Sequence, residues 1–225
     1  MTIVSFATTK GGSGKSLLTR LVGTEMAVHG ARAKILCVDP QHTTWQWSQA
    51  ARRKGTLPDN LTVERIDEDA VFKQRLTDPG DVDITLIDVQ GAYSQALNFA
   101  IAASDLCIVP CRATMDDARE VVRIFEYAAS LKRAKLMVVI NAISGIDRAT
   151  QAFKEAVGEL VRHKLPLFKT PIMQRPIYAE FAHEGGTLES LASTPDRVEQ
   201  VKKARDNIAR LLDEIYEHAG VLVDG

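Results

Sequence analysis

The chain has 225 residues, 45% hydrophobic and 25% charged, with a formal net charge of −1. That balance suits one globular domain over residues 1–225 with a substantial core, or at most two small ones. No apolar run approaches the roughly 20 residues that cross a bilayer, and the start lacks the basic, apolar and small-residue order of a secretory signal, so a cytoplasmic protein without a membrane partner is expected.

In chain order, β-rich apolar runs alternate with helical patterns. The strands expected are "IVSFAT" (3–8), "AKILCVD" (33–39), "LTVERI" (61–66), "DITLIDV" (83–89), "DLCIVP" (105–110), "AKLMVVINAI" (134–143) and "LFKTPI" (167–172). Several are nearly all apolar, as strands covered on both faces should be. Helices are expected near 15–29, 43–54, 68–77, 93–103, 114–131 and 147–163, with Gly30 stopping the first. A last helix opens at "TPDR", with Thr194 as N-cap and Pro195 in the first turn; Val198, Val201, Ile208, Leu211, Leu212 and Ile215 form its apolar stripe. The alternation implies right-handed crossovers and a doubly wound α/β fold, a mostly parallel sheet flanked by helices.

Charge is unevenly spread. Residues 59–120 hold 13 Asp/Glu against 5 Lys/Arg, and residues 132–175 hold 9 Lys/Arg against 3 Asp/Glu. Such asymmetry marks either a polyanion-binding face or ordinary solvated helices. Cys37, Cys107 and Cys111 lie in apolar runs and read as reduced, buried thiols; Cys107 and Cys111 as metal ligands would need a second pair at zinc spacing, which the sequence does not offer.

The first loop, "TTKGGSGKS" (8–16), follows an apolar strand and precedes a helix. Glycines there turn backbone N–H groups inward, and the helix dipole adds to the anion site. Gly11, Gly12, Ser13, Gly14, Lys15, Ser16 and Leu17 are the expected phosphate cradle, with Lys15 on the β- and γ-phosphates of ATP or ADP and Ser16 on Mg²⁺. Thr9 stands where the strict P-loop pattern has its first glycine.

"KGGSGKS" resembles the deviant Walker A motif of the ParA/MinD family of ATPases. The resemblance implies that Lys10 reaches across a homodimer to the partner's nucleotide. It makes Asp39, in the ParA-like "DPQ", the group that positions water and stands near the metal. "ITLIDV" is similar to a Walker B strand, so Asp88 becomes a Mg²⁺ ligand. "DVQGAYS" departs from the family's usual "DTP"; Gln90 either orients water or is an ordinary loop residue, and Gly91 lets the loop approach the γ-phosphate. Asn141 stands where relatives meet adenine, and could equally cap a turn. Pro171 to Arg175, with Pro171 and Met173 foremost, are expected along the base; the alternative for Arg175 is contact with DNA. Trp45 and Trp47 read as packing or as a nucleotide-sensitive surface.

The segment "TPIMQRPIYAEFAHEGGTLES" is similar to small ParA-type partition ATPases and related conjugation accessory ATPases. The implied protein closes as an ATP-dependent homodimer, binds DNA non-specifically in a nucleoid-associated state, and releases it when a ParB-like adaptor stimulates hydrolysis. Lys164, Lys169, Arg175, Lys202, Lys203 and Arg205 are the candidate DNA contacts. A short ParA type without an operator-reading extension is expected, and "AGVLVDG" lacks the basic cluster of a MinD-like membrane helix. Conjugative transfer and protein-cargo positioning remain alternatives. An iron–sulfur reductase would need glycine-flanked cysteine pairs that Cys107 and Cys111 do not make.

Overall fold

A computed structural model of the chain describes residues 2–131 and 135–220. Lys132, Arg133, the start of the expected sixth strand and most of "AGVLVDG" lie outside the described residues. The elements are β1 (Thr2–Phe6), α1 (Lys15–Val28), β2 (Ala33–Cys37), α2 (Thr43–Lys54), β3 (Leu61–Arg65), α3 (Asp69–Thr77), β4 (Ile84–Asp88), α4 (Gln95–Ala103), β5 (Leu106–Arg112), α5 (Met115–Ala129), β6 (Lys135–Asn141), α6 (Gln151–Arg162), α7 (Pro176–Glu184) and α8 (Pro195–Ala219).

The six strands are all parallel, in the order β3-β2-β4-β1-β5-β6. Alternate residues of each strand enter different cores, which is why the runs are apolar throughout. Val4, Phe6, Ile35 and Leu86 pack with α1, α7 and α8 on one face. Ile3, Leu36, Ile87, Cys107 and Val109 pack with α4, α5 and α6 on the other. The three cysteines are buried, and burial pushes the thiols up, Cys37 to about 11 and Cys107 and Cys111 to about 12, so they stay neutral.

Two expectations fail locally. Residues 167–172 form no continuous strand; isolated bridges, Val138 to Leu167 and Ile143 to Met173, and the backbone bonds Phe168 N to Val138 O at 2.9 Å and Ile172 N to Ile140 O at 2.8 Å lay the segment along β6. Pro171 has no N–H for a ladder, and the Glu214 carboxylate accepts the Lys169 and Thr170 amides at 2.7 and 2.8 Å. The sequence reading also missed α7, a nine-residue helix with Pro176 in its first turn and Gly185 (φ 78°) after its end. Its apolar face is short, so periodicity alone gave little signal. The expected 147–163 helix is a 3-10 turn, Asp147–Ala149, followed by α6, whose Thr150 cap accepts the Phe153 amide at 3.2 Å.

Helix α8 is held by Val201, Ala204, Ile208, Leu211, Leu212 and Ile215. Val198, expected in that stripe, is instead 51% exposed. Leu211→Ala should therefore destabilise the protein by about 2–5 kcal/mol, and Val198→Ala by no more than about 0.5 kcal/mol; chemical denaturation of the two variants checks the contrast.

Candidate nucleotide site

The strand order assembles the site. β1 lies between β4 and β5, where the winding direction reverses, and loops at the carboxyl ends of such strands open a crevice. Register places Phe6 and Cys37 beside Asp88 on either flank. The P-loop after β1, Asp39 after β2 and Asp88 at the end of β4 therefore meet at one edge.

Gly12 (φ 80°) and Gly14 (φ 94°) hold left-handed backbone that side chains resist. Helix α1 starts at Lys15 with no side-chain cap, and its first internal bond is Leu18 N to Gly14 O at 2.9 Å. The amides of Lys15, Ser16 and Leu17 are left for an anion. A cavity of about 420 Å³ opens here, bounded by Gly11, Gly12, Gly14, Lys15, Ser16, Leu17, Asp39, Gln41, Gln90 and Gly91. Lys15 is buried; burial lowers its pKa against the pull of Asp88 and Asp39. A Cβ on Gly91 would stand 2.9 Å from Lys15 Nζ and 3.1 Å from the Lys10 carbonyl. A side chain there would push the Lys15 ammonium aside and crowd the Lys10 carbonyl.

Asp88 is completely buried. Ser16 Oγ donates to its Oδ1 at 2.9 Å, and Thr44 Oγ1 donates to Oδ2. Thr44 accepts in turn from Arg20 Nε at 3.0 Å. Burial raises the Asp88 pKa, opposed by the two hydroxyls and by the charges of Arg20 and Lys15. Ser16 lines the cavity with Asp88 directly behind it, an all-oxygen pair of the kind that suits Mg²⁺. Asp39 is fixed by a tight turn: its Oδ1 accepts the Gln41 amide and its carbonyl the His42 amide, both at 2.8 Å.

Lys10 points elsewhere. Its ammonium meets Asp117 Oδ1 on α5 at 2.6 Å, and its side chain is 51% exposed. The Asp117 hydrogen bond and charge raise its pKa. Thr9, beside it, donates to Glu120. Thus the two lysines of one loop face different surroundings.

The base-side residues do other work in this conformation. Asn141 donates from Nδ2 to the Ser13 carbonyl at 2.7 Å and accepts the Ala142 amide at 2.9 Å, bracing the P-loop from the end of β6. Pro171 and Met173 are clamped by Asn207 of α8, which donates to the Pro171 carbonyl at 2.9 Å and accepts the Met173 amide at 3.0 Å. Sequence reading missed Asn207, Thr44, Arg20 and Asp117; only Asn207 carried a signal, a polar residue inside an apolar stripe. Trp47 is packing: buried, its ring 5.4 Å from Phe181, its Nε1 donating to the Phe181 carbonyl.

The candidate DNA contacts are spread over the end of α6, the segment before α7, and α8. Arg205 pairs with the buried carboxylate of Glu25 at 3.1 Å. Arg175 is half-buried, its Nε enclosed without a hydrogen-bond partner. Lys203 pairs with Glu199 at 3.1 Å on the surface. Lys169 lies by Glu214, 12 residues along α8 from Lys202, or about 18 Å of helix. Lys164 follows α6 in left-handed backbone, φ 54°. Among the described residues no helix is long and apolar enough to cross a membrane.

The protein ParA of Rhizobium radiobacter is 25% identical over 198 residues, covering 86% of this chain and 87% of that one. The MinD cell division protein of Aquifex aeolicus shares the fold with a TM-score of 0.72 at 16% identity, over 95% of this chain and 98% of that one. A plasmid partition protein of Borrelia burgdorferi, described as putative and solved with AMPPNP, gives a TM-score of 0.71 at 16% identity, over 95% and 99%. The family described as VirC1 protein matches residues 1–222. With its deviant P-loop, its all-parallel sheet and this match along nearly its whole length, the chain belongs to the VirC1 protein family and, with it, to the ParA/MinD family of ATPases.

Proposed function

We propose that residues 1–225 form a single Mg²⁺-dependent ATPase unit whose nucleotide state governs self-association and binding to DNA. The observation that carries this reading is the division between Lys15, buried in the cavity wall, and Lys10, turned outward onto Asp117. A second lysine turned away from its own cavity supports a role at a partner's cavity. The Borrelia partition protein's AMPPNP supports a nucleoside triphosphate as the ligand.

In this reading ATP fills the cavity, its phosphates on the amides of Gly11–Leu17 and on Lys15. Ser16 and Asp88 hold Mg²⁺, which neutralises phosphate charge when bound. Asp39, fixed by its turn, orients the attacking water. Two subunits close over two nucleotides, and each Lys10 leaves Asp117 to stabilise charge developing on the partner's γ-phosphate. Asn141, Pro171 and Met173 border the base. The closed dimer binds DNA through exposed cations such as Lys164, Lys169, Lys202 and Lys203, without sequence preference and with steep salt dependence. An adaptor of ParB type on the cargo stimulates hydrolysis and release.

The test is binding to random-sequence duplex DNA without nucleotide, with ADP and with ATP, while light scattering follows dimerisation. ATP-dependent dimerisation and DNA binding, reversed by salt, is expected. Dimerisation without DNA binding would remove DNA from the reading, and preference for one sequence would favour the conjugative-transfer alternative.

Three variants separate the roles. Lys15→Ala should lose ATP binding in a filter or fluorescence assay. Lys10→Ala should bind ATP normally yet turn over slower by about 10³-fold, the scale set by cations supplied in trans. Asp39→Ala should bind ATP and accumulate as an ATP dimer on DNA; wild-type turnover would remove Asp39 from the mechanism.

A further inference from the structure

Helix α2 begins four residues after Asp39, so whatever holds its first turn also holds the loop that carries Asp39. That hold is polar and fully enclosed. Thr44, in the first turn, is 0% exposed. Its single hydroxyl proton goes to Asp88 Oδ2, and its oxygen accepts Arg20 Nε–H at 3.0 Å. Arg20, 7% exposed, also lies over the Trp47 ring at 5.8 Å, one turn further along α2. Three elements, α1, α2 and β4, meet at one hydroxyl.

We propose that Thr44 is a positioning residue that couples metal binding at Asp88 to the placement of the Asp39 loop, with Arg20 as its charged anchor. The inference rests on the ATPase reading above. Asp88 Oδ1 faces Ser16, the pair that would receive Mg²⁺, while Oδ2 is held by Thr44. A carboxylate gripped at one oxygen presents the other in a fixed direction. Any rotation of that carboxylate as it takes a cation pulls or releases the first turn of α2. A valine in place of Thr44 keeps the shape but strands Asp88 Oδ2 and Arg20 Nε without partners.

The chain contains two tryptophans, and both, Trp45 and Trp47, are on α2. Tryptophan emission therefore reports this helix. The experiment titrates Mg²⁺ into full-length protein saturated with ADP, reading emission, and measures nucleotide affinity separately by anisotropy of a fluorescent ATP analogue in EDTA. Wild type should change emission as Mg²⁺ binds. Thr44→Val should hold the analogue in EDTA within about twofold of wild type while needing about 10–100-fold more Mg²⁺ and losing the emission change, the range typical when a ligand's supporting hydrogen bond is removed. Thr44→Ser should restore both. A Thr44→Val protein with wild-type Mg²⁺ and emission responses overturns the proposal. If that variant does not fold, the wild-type titration decides alone: a flat emission signal in ADP-loaded protein overturns the coupling. Wild type that binds no nucleotide overturns the ATPase reading and this inference together, whereas normal binding with an unaltered Thr44→Val response overturns the inference alone.

Discussion

A carboxylate removed wholly from water is the constraint around which this molecule is arranged. Asp88 sits at the end of a central strand with no exposed surface. Left alone it would take up a proton or cost several kcal/mol. Instead two hydroxyls donate to it, and the charges of Arg20 and Lys15 stand nearby. Those partners come from α1 and α2. Satisfying one charge thus fixes how both helices meet the sheet at the edge where the cavity opens.

The loop above it divides its labour by direction. Lys15 belongs to the interior and is made less basic by burial; Lys10 belongs to the surface and is made more basic by Asp117. Gly91 lies between the Lys15 ammonium and the Lys10 backbone, so the turn after β4 touches both. A side chain added at Gly91 would press on both.

Much of this was legible in the sequence, and the reason is local. Strand runs and the glycine-rich loop carry their meaning within a few residues, so six of the seven expected strands and the loop that lines the cavity could be anticipated. What could not be read depended on partners distant in the chain. Thr44 looks like any helix-start threonine until Arg20 and Asp88 arrive. Arg205 looks like a free surface cation until α8 packs against Glu25 on α1. Residues 167–172 have the composition of a strand, but Glu214 and Asn207 take the amides and carbonyl that a neighbouring strand would have used.

The central place of β1 has a consequence for how the protein is made. The strand precedes β4 and β5 in the chain, yet these two are its neighbours, and their residues begin at 84 and 106. At synthesis rates of about 5–20 residues per second, the apolar segment "IVSF" waits for several seconds or more without a pairing partner. Until β4 arrives there is no Asp88 and no crevice. Folding of the phosphate loop is therefore a late event, set by the synthesis of β4 and β5 rather than of β1 itself.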